Sequence, residues 1–117
     1  MLLGNDVVDL KEEGAGLKHR DSRFLGRVCT FEEAACIRSA PLPALALWMI
    51  WAAKESIFKV MKKLEPELVF SHRDFSVGEH CLRKLGNVRT EAGRLSILNG
   101  GREVSIDYTA DKVQFKY

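Results

Sequence analysis

The sequence predicts an α+β fold in one domain, an antiparallel sheet packed against one long central helix. The expected order is a strand, two or three helices, then three or four antiparallel strands. Three observations carry this. No helix breaker interrupts the apolar run between Pro43 and Pro66. Thr30-Phe31-Glu32-Glu33 matches a capping box, in which the Thr side chain accepts from the backbone and Glu33 reaches back. Asn99-Gly100-Gly101 separates two strand-like runs, Leu95 to Leu98 and Glu103 to Thr109, which is a hairpin signature.

Leu2 to Leu10 reads as a strand broken by a glycine. Asp6 and Asp9 are three apart and so face opposite sides of it. Asp6 interrupts a stretch that otherwise looks buried, where a carboxylate is costly unless it is paired or bound to a metal. The plainer alternative is a strand-end aspartate capping the next turn. Lys11 to Gly16 is charged and glycine-rich, hence a loop. Lys18 to Arg23 is a small basic cluster, and apolar spacing resumes at Phe24. A short helix is expected from about Phe31 to Ser39. Ala40-Pro41-Leu42-Pro43 links it to the long helix, with Pro43 suited to the first turn and Glu65-Pro66-Glu67 ending it near Leu64. Val69 to Val77 reads as a strand, Asn87 to Arg89 as a weak extension of the sheet, Ala110-Asp111 as a turn, and Lys112 to Tyr117 as the last strand.

Composition narrows the function classes. A chain of 117 residues is one domain. The formal charge is +2 with a pI near 8.5, too balanced for a dedicated nucleic-acid binder yet compatible with a local basic patch for anionic substrates. Asp6 and Asp9 come too early for a signal peptide. The longest apolar run, Ala40 to Ala53, is too short to cross a bilayer. Cys29, Cys36 and Cys81 show no CxxC spacing. They read as reduced, buried thiols in a cytoplasmic protein without zinc.

On the long helix, Trp51, Glu55 and Lys59 follow at four-residue steps and share a face. Met49, Ala53, Ile57, Val60, Met61 and Leu64 form the expected core stripe. An exposed Glu–Lys pair at this spacing contributes only about 0.2–0.5 kcal/mol, so the helix alone leaves open whether Glu55 and Lys59 do chemistry or decorate a surface.

Three ordered segments settle the expectation. Gly4-Asn5-Asp6, Arg23-Phe24-Leu25-Gly26-Arg27-Val28-Cys29-Thr30-Phe31-Glu32-Glu33, and Trp51-Ala52-Ala53-Lys54-Glu55-Ser56-Ile57-Phe58-Lys59 resemble the G-x-D, R-F-x-x-R and W-x-x-K-E motifs of the 4'-phosphopantetheinyl transferase superfamily. The length and the single G-x-D/KE pair resemble its short holo-acyl-carrier-protein synthase branch. Val104 to Thr109 resembles the family's tail strand, with two departures: Tyr108 replaces a histidine and Asp107 a small hydroxyl residue.

The resemblance implies Mg²⁺-dependent transfer of the 4'-phosphopantetheine arm of coenzyme A onto a serine of an acyl or peptidyl carrier protein. It implies Asp6 and Glu55 as metal ligands. Glu55, directly or through a metal-bound water, becomes the base for the serine proton, and Lys59 faces a phosphate oxygen. Lys54 and Arg27 are implied as coenzyme contacts, Arg27 having pairing with Glu32 or Glu33 as its alternative. Lys18, Arg20 and Arg23 would receive the acidic carrier protein, and a homotrimer is the implied assembly. The same residues leave room for a non-catalytic family member that only binds coenzyme A or a carrier protein, the reading the Asp107 and Tyr108 departures favour. They also leave room for a small basic adaptor using the Lys18–Arg27 patch.

Overall fold

The computed structural model describes residues 4–12, 14–69, 71–99 and 102–117. Strand β1 (Asn5–Asp9) comes first. Helices α1 (Ser22–Val28), α2 (Phe31–Ser39), α3 (Pro43–Leu64) and α4 (Glu79–Gly86) follow, then β2 (Gly93–Asn99), β3 (Arg102–Tyr108) and β4 (Lys112–Lys116). The four strands make one antiparallel sheet in the order β1-β4-β3-β2. The fold is α+β, with the sheet against the 22-residue α3.

Local chemistry explains most boundaries. The capping box forms: Thr30 Oγ1 accepts from the Glu33 amide at 3.3 Å, and Glu33 Oε1 accepts from the Thr30 amide at 2.8 Å. Pro43 occupies the first turn of α3. Asp21 caps α1 by accepting from the amides of Arg23 and Phe24, each at 3.0 Å, and the Phe24 bond in particular holds its carboxyl below the usual range.

α3 is buried on more sides than one stripe allows. From Leu45 to Lys54 all but Trp51 are buried, because the sheet covers one flank while α2, α4 and the turns around α1 cover others. Toward the C-terminus this cover ends. Ile57 and Met61 are only half-buried, and Leu64 is exposed, not part of the core stripe.

Strand alternation decides the orientation of β1. Asp6 lies opposite Phe115 and Val8 opposite Val113. Both partners are in the core, so Asp6 and Val8 face α3 while Asn5, Val7 and Asp9 face outward. Gly4 allows the close approach. A Cβ there would collide with the Ser56 carbonyl oxygen and lie 2.8 Å from Val60 Cγ2. The turn after β1 is capped by Asp9, whose Oδ1 accepts from the Lys11 amide at 2.9 Å. The capping alternative for Asp6 therefore falls to its neighbour.

Two expected strands are absent. Within Val69 to Val77 the described residues form a single 3-10 turn, His72–Asp74, in irregular backbone; Phe70 lies outside the described residues. The reason is a different destination for the backbone groups. The His72 carbonyl accepts from Lys54 Nζ at 2.9 Å, and the Val77 amide donates to Glu33 Oε2 at 2.7 Å. Asn87 to Arg89 pairs with no strand; Val88 instead fills the core after α4. In the expected hairpin Asn99 pairs with Arg102, while the turn residues Gly100 and Gly101 lie outside the described residues.

Candidate functional site

The 51–55–59 stripe of α3 organises the site. At its Lys59 end it meets β1. Lys59 Nζ donates to the Asn5 carbonyl at 2.8 Å and to Asp6 Oδ1 at 3.1 Å. At its Glu55 end it meets the 72–74 turn, where His72 Nε2 lies 2.6 Å from Glu55 Oε1. Asp6 and Glu55, forty-nine positions apart in sequence, line one open cleft of about 420 Å³ with Asp9, Glu12, Trp48 and Trp51. The long helix packs against the first strand, and the two acids thereby come to line this one cleft.

Trp51 anchors this arrangement. It stacks on Phe24 of α1 with centroids 5.8 Å apart and on His72 at 4.1 Å, and meets Trp48 edge-on at 5.9 Å. The elements it fixes to α3 are therefore α1 and the 72–74 turn. Sequence analysis passed over His72. Its segment reads as a strand, and the importance of this histidine arises from the fold, which brings it to Glu55.

Lys54 is committed to a buried network. Its side chain is 1% exposed, and its ammonium donates to Glu33 Oε1 at 2.5 Å, to the Val28 carbonyl at 2.8 Å and to the His72 carbonyl. Those three bonds use all three donors of a lysine. Glu33, wholly buried, accepts in turn from the amides of Thr30 and Val77. One ion pair thus joins α1, α2, α3 and the segment before α4. It also removes Glu33 as a partner for Arg27, which is exposed on α1.

Arg23 and Arg27 are one helical turn apart and both exposed, as is Arg20. Lys18 is half-buried, its ammonium 5.1 Å from the centre of the Phe24 ring. The structure groups these cations on and just before α1, away from Lys59. Lys59 instead borders a second cleft with Gly4, Asn5, Phe58, Lys62 and Lys63. Lys62 and Lys63 went unnoticed in the sequence, although 59, 62 and 63 follow helical spacing on one face.

The two tail departures have structural explanations. Tyr108 is buried, its hydroxyl 3.3 Å from Thr90 Oγ1. Asp107 is on the other face of the strand and bonds Arg94 at 2.5 Å, a hydrogen bond that holds its carboxyl low.

The chain matches the 4'-phosphopantetheinyl transferase superfamily over residues 2–109. It belongs to that superfamily. It is also 36% identical over 59 residues to the holo-[acyl-carrier-protein] synthase of Protochlamydia amoebophila (strain UWE25), a match covering 50% of this chain and 48% of that protein.

Among the described residues no three His, Cys, Asp or Glu side chains form a metal cage unaided. Mg²⁺ does not need one. It takes one or two carboxylates and completes its octahedron with waters and substrate phosphates. Asp6 and Glu55, two hard oxygen donors on one open cleft, fit that requirement.

Proposed function

We propose that this superfamily member transfers the 4'-phosphopantetheine arm of coenzyme A to a serine of an acyl or peptidyl carrier protein, as a short-branch enzyme dependent on Mg²⁺. The observation that carries the reading is that Asp6 and Glu55 line one cleft, with Lys59 bonded to Asp6. Asp9 and Glu12 line the same cleft. A diphosphate entering so acidic a place needs a cation to offset the repulsion.

In the reaction the serine oxygen forms a bond to the phosphorus that carries pantetheine. The bond from that phosphorus to the bridging oxygen breaks, and adenosine 3',5'-bisphosphate leaves with the electron pair. Such transfers depend mainly on positioning and charge neutralisation. Asp6 and Glu55 would hold Mg²⁺, which supplies electrostatic stabilisation of the diphosphate. Lys59, 47% exposed, can swing its ammonium from Asp6 to a phosphate oxygen as charge builds. Glu55 would receive the serine proton, a role worth about 10²–10⁴-fold. The exposed cations Arg20 and Arg23, with Lys18, present a surface for an acidic carrier protein, and Arg27 on the same helix is the remaining candidate for a coenzyme phosphate. The family resemblance implies a homotrimer with the substrate between subunits. The unpaired cysteines are in keeping with a cytoplasmic setting, and among the described residues no helix is long and apolar enough to cross a membrane.

The test is direct. The chain is incubated with coenzyme A, Mg²⁺ and a panel of apo carrier proteins, and intact masses are read. One carrier should gain the mass of the arm, and chelating the metal should abolish the gain. If coenzyme A binds yet no carrier is modified, the chain is a binding member and the transferase reading falls.

A further inference from the structure

The His72–Glu55 contact is explained by nothing in the reaction as drawn. With the Glu55 carboxylate as acceptor, the donor 2.6 Å away is His72 Nε2. The ring is held from two sides. It stacks on Trp51 with planes 20° apart, and its own backbone carbonyl is pinned by Lys54. Trp51, Lys54 and Glu55 occupy positions i, i+3 and i+4 of α3, so one patch of helix grips the histidine and receives its proton donor. Lys54 is itself immobilised by Glu33. A buried ion pair thereby sets the position of an N–H on the working face.

We propose that His72 is a positioning residue that aims Glu55. It spends its Nε2–H on Oε1, fixes the carboxylate rotamer, and leaves the other lobe turned to the cleft shared with Asp6. Resting on the functional reading above, this makes His72 an outer support for a metal-bearing carboxylate. Such partners typically change metal affinity by about 10–100-fold. A lysine in this place would pair with the carboxylate and cancel its charge. An imidazole N–H instead orients the group through one directed hydrogen bond.

The experiment titrates Mn²⁺ into the full chain with saturating coenzyme A and follows bound metal by electron paramagnetic resonance. His72→Phe keeps a ring for Trp51 but has no donor. His72→Gln has no ring, but its amide N–H stands at about the place of Nε2. The Phe variant should bind Mn²⁺ at least about tenfold more weakly than wild type while keeping its unfolding temperature. The Gln variant should recover most of the affinity. Equal Mn²⁺ affinity in wild type and the Phe variant overturns the proposal and leaves the functional reading standing. So does a nitrogen coupling from His72 on bound Mn²⁺, which would make it a ligand. A loss of affinity that tracks a loss of thermal stability in both variants reduces His72 to a packing residue. A wild-type chain that binds no Mn²⁺ even with coenzyme A overturns the functional reading together with this one.

Discussion

Lys54→Met separates two accounts of the same lysine. If Lys54 touches coenzyme A, the substitution weakens coenzyme binding and leaves the fold intact. The structure requires the reverse. Removing the ammonium leaves the Glu33 carboxylate, wholly buried, with only the Thr30 and Val77 amides, and strips the Val28 and His72 carbonyls of a donor. Breaking a buried pair from one side costs about 3–5 kcal/mol, against a total of about 5–15 kcal/mol for a domain. At about 4 °C per kcal/mol for a chain of this size, the unfolding temperature should fall by about 12–20 °C. Urea titrations of wild type, Lys54→Met, Glu33→Leu and the double variant, at one protein concentration, close a cycle. Replacing both partners by apolar groups removes the stranded charge, so the double variant should be more stable than either single one. A Lys54→Met midpoint within about 1 kcal/mol of wild type, or singles that add in the double variant, would refute the hub.

Other outcomes are equally specific. Gly4→Ala must push β1 away from Ser56 and Val60; overpacking of this kind costs about 1–3 kcal/mol, and displacing Asp6 should also weaken Mn²⁺ binding, read in the same titration. Arg20→Glu with Arg23→Glu should raise the KM for the carrier protein and flatten its dependence on salt, with the KM for coenzyme A unchanged. Burial pushes the Cys29 thiol from 9.0 to about 11. Iodoacetamide at pH 8 should therefore spare it in the native chain and alkylate it in urea. Its folded value lies above its unfolded one, so it has no effect below pH 9 and costs stability as pH rises from about 9 to 11, by on the order of 2–3 kcal/mol. Cys29→Ala should remove that part of the alkaline decline.

What was legible in the sequence was what local chemistry fixes. The capping box set the start of α2, Pro43 and Pro66 bracketed α3, and alternation gave β3 and β4. The pair of acids was legible only through the family resemblance of their motifs; that they line one cleft comes from the fold. What was missed depended on distant partners. The 69–77 segment alternates enough to suggest a strand, but its backbone groups are claimed by Lys54 and Glu33, which a local pattern cannot show. α4 carries Cys81, Leu82 and Leu85 at helical spacing but begins at Gly78 without a capping side chain, so no start signal marked it. Asp21, the cap of α1, was hidden in a basic cluster.

Lys54 and Lys59 show why motif lysines cannot be assigned by type. They lie five residues apart on one helix, and each bonds a carboxylate and a backbone carbonyl. Lys54 does so at 1% exposure and Lys59 at 47%. An exposed pair contributes at most about 1 kcal/mol, so a divalent ion approaching Asp6 can displace Lys59 at little cost and free its ammonium for phosphate. The same exchange at Glu33 would strand a buried charge, at about 3–5 kcal/mol. The difference originates in where the cover on α3 ends. Around Lys54 the helix is enclosed by α2 and the 72–74 turn, whereas among the described residues the hydrogen-bond partners of Lys59 lie on β1. Reversing the roles would require moving that boundary by more than a helical turn, so Lys59, and not Lys54, is the lysine whose removal should lower kcat with the fold preserved.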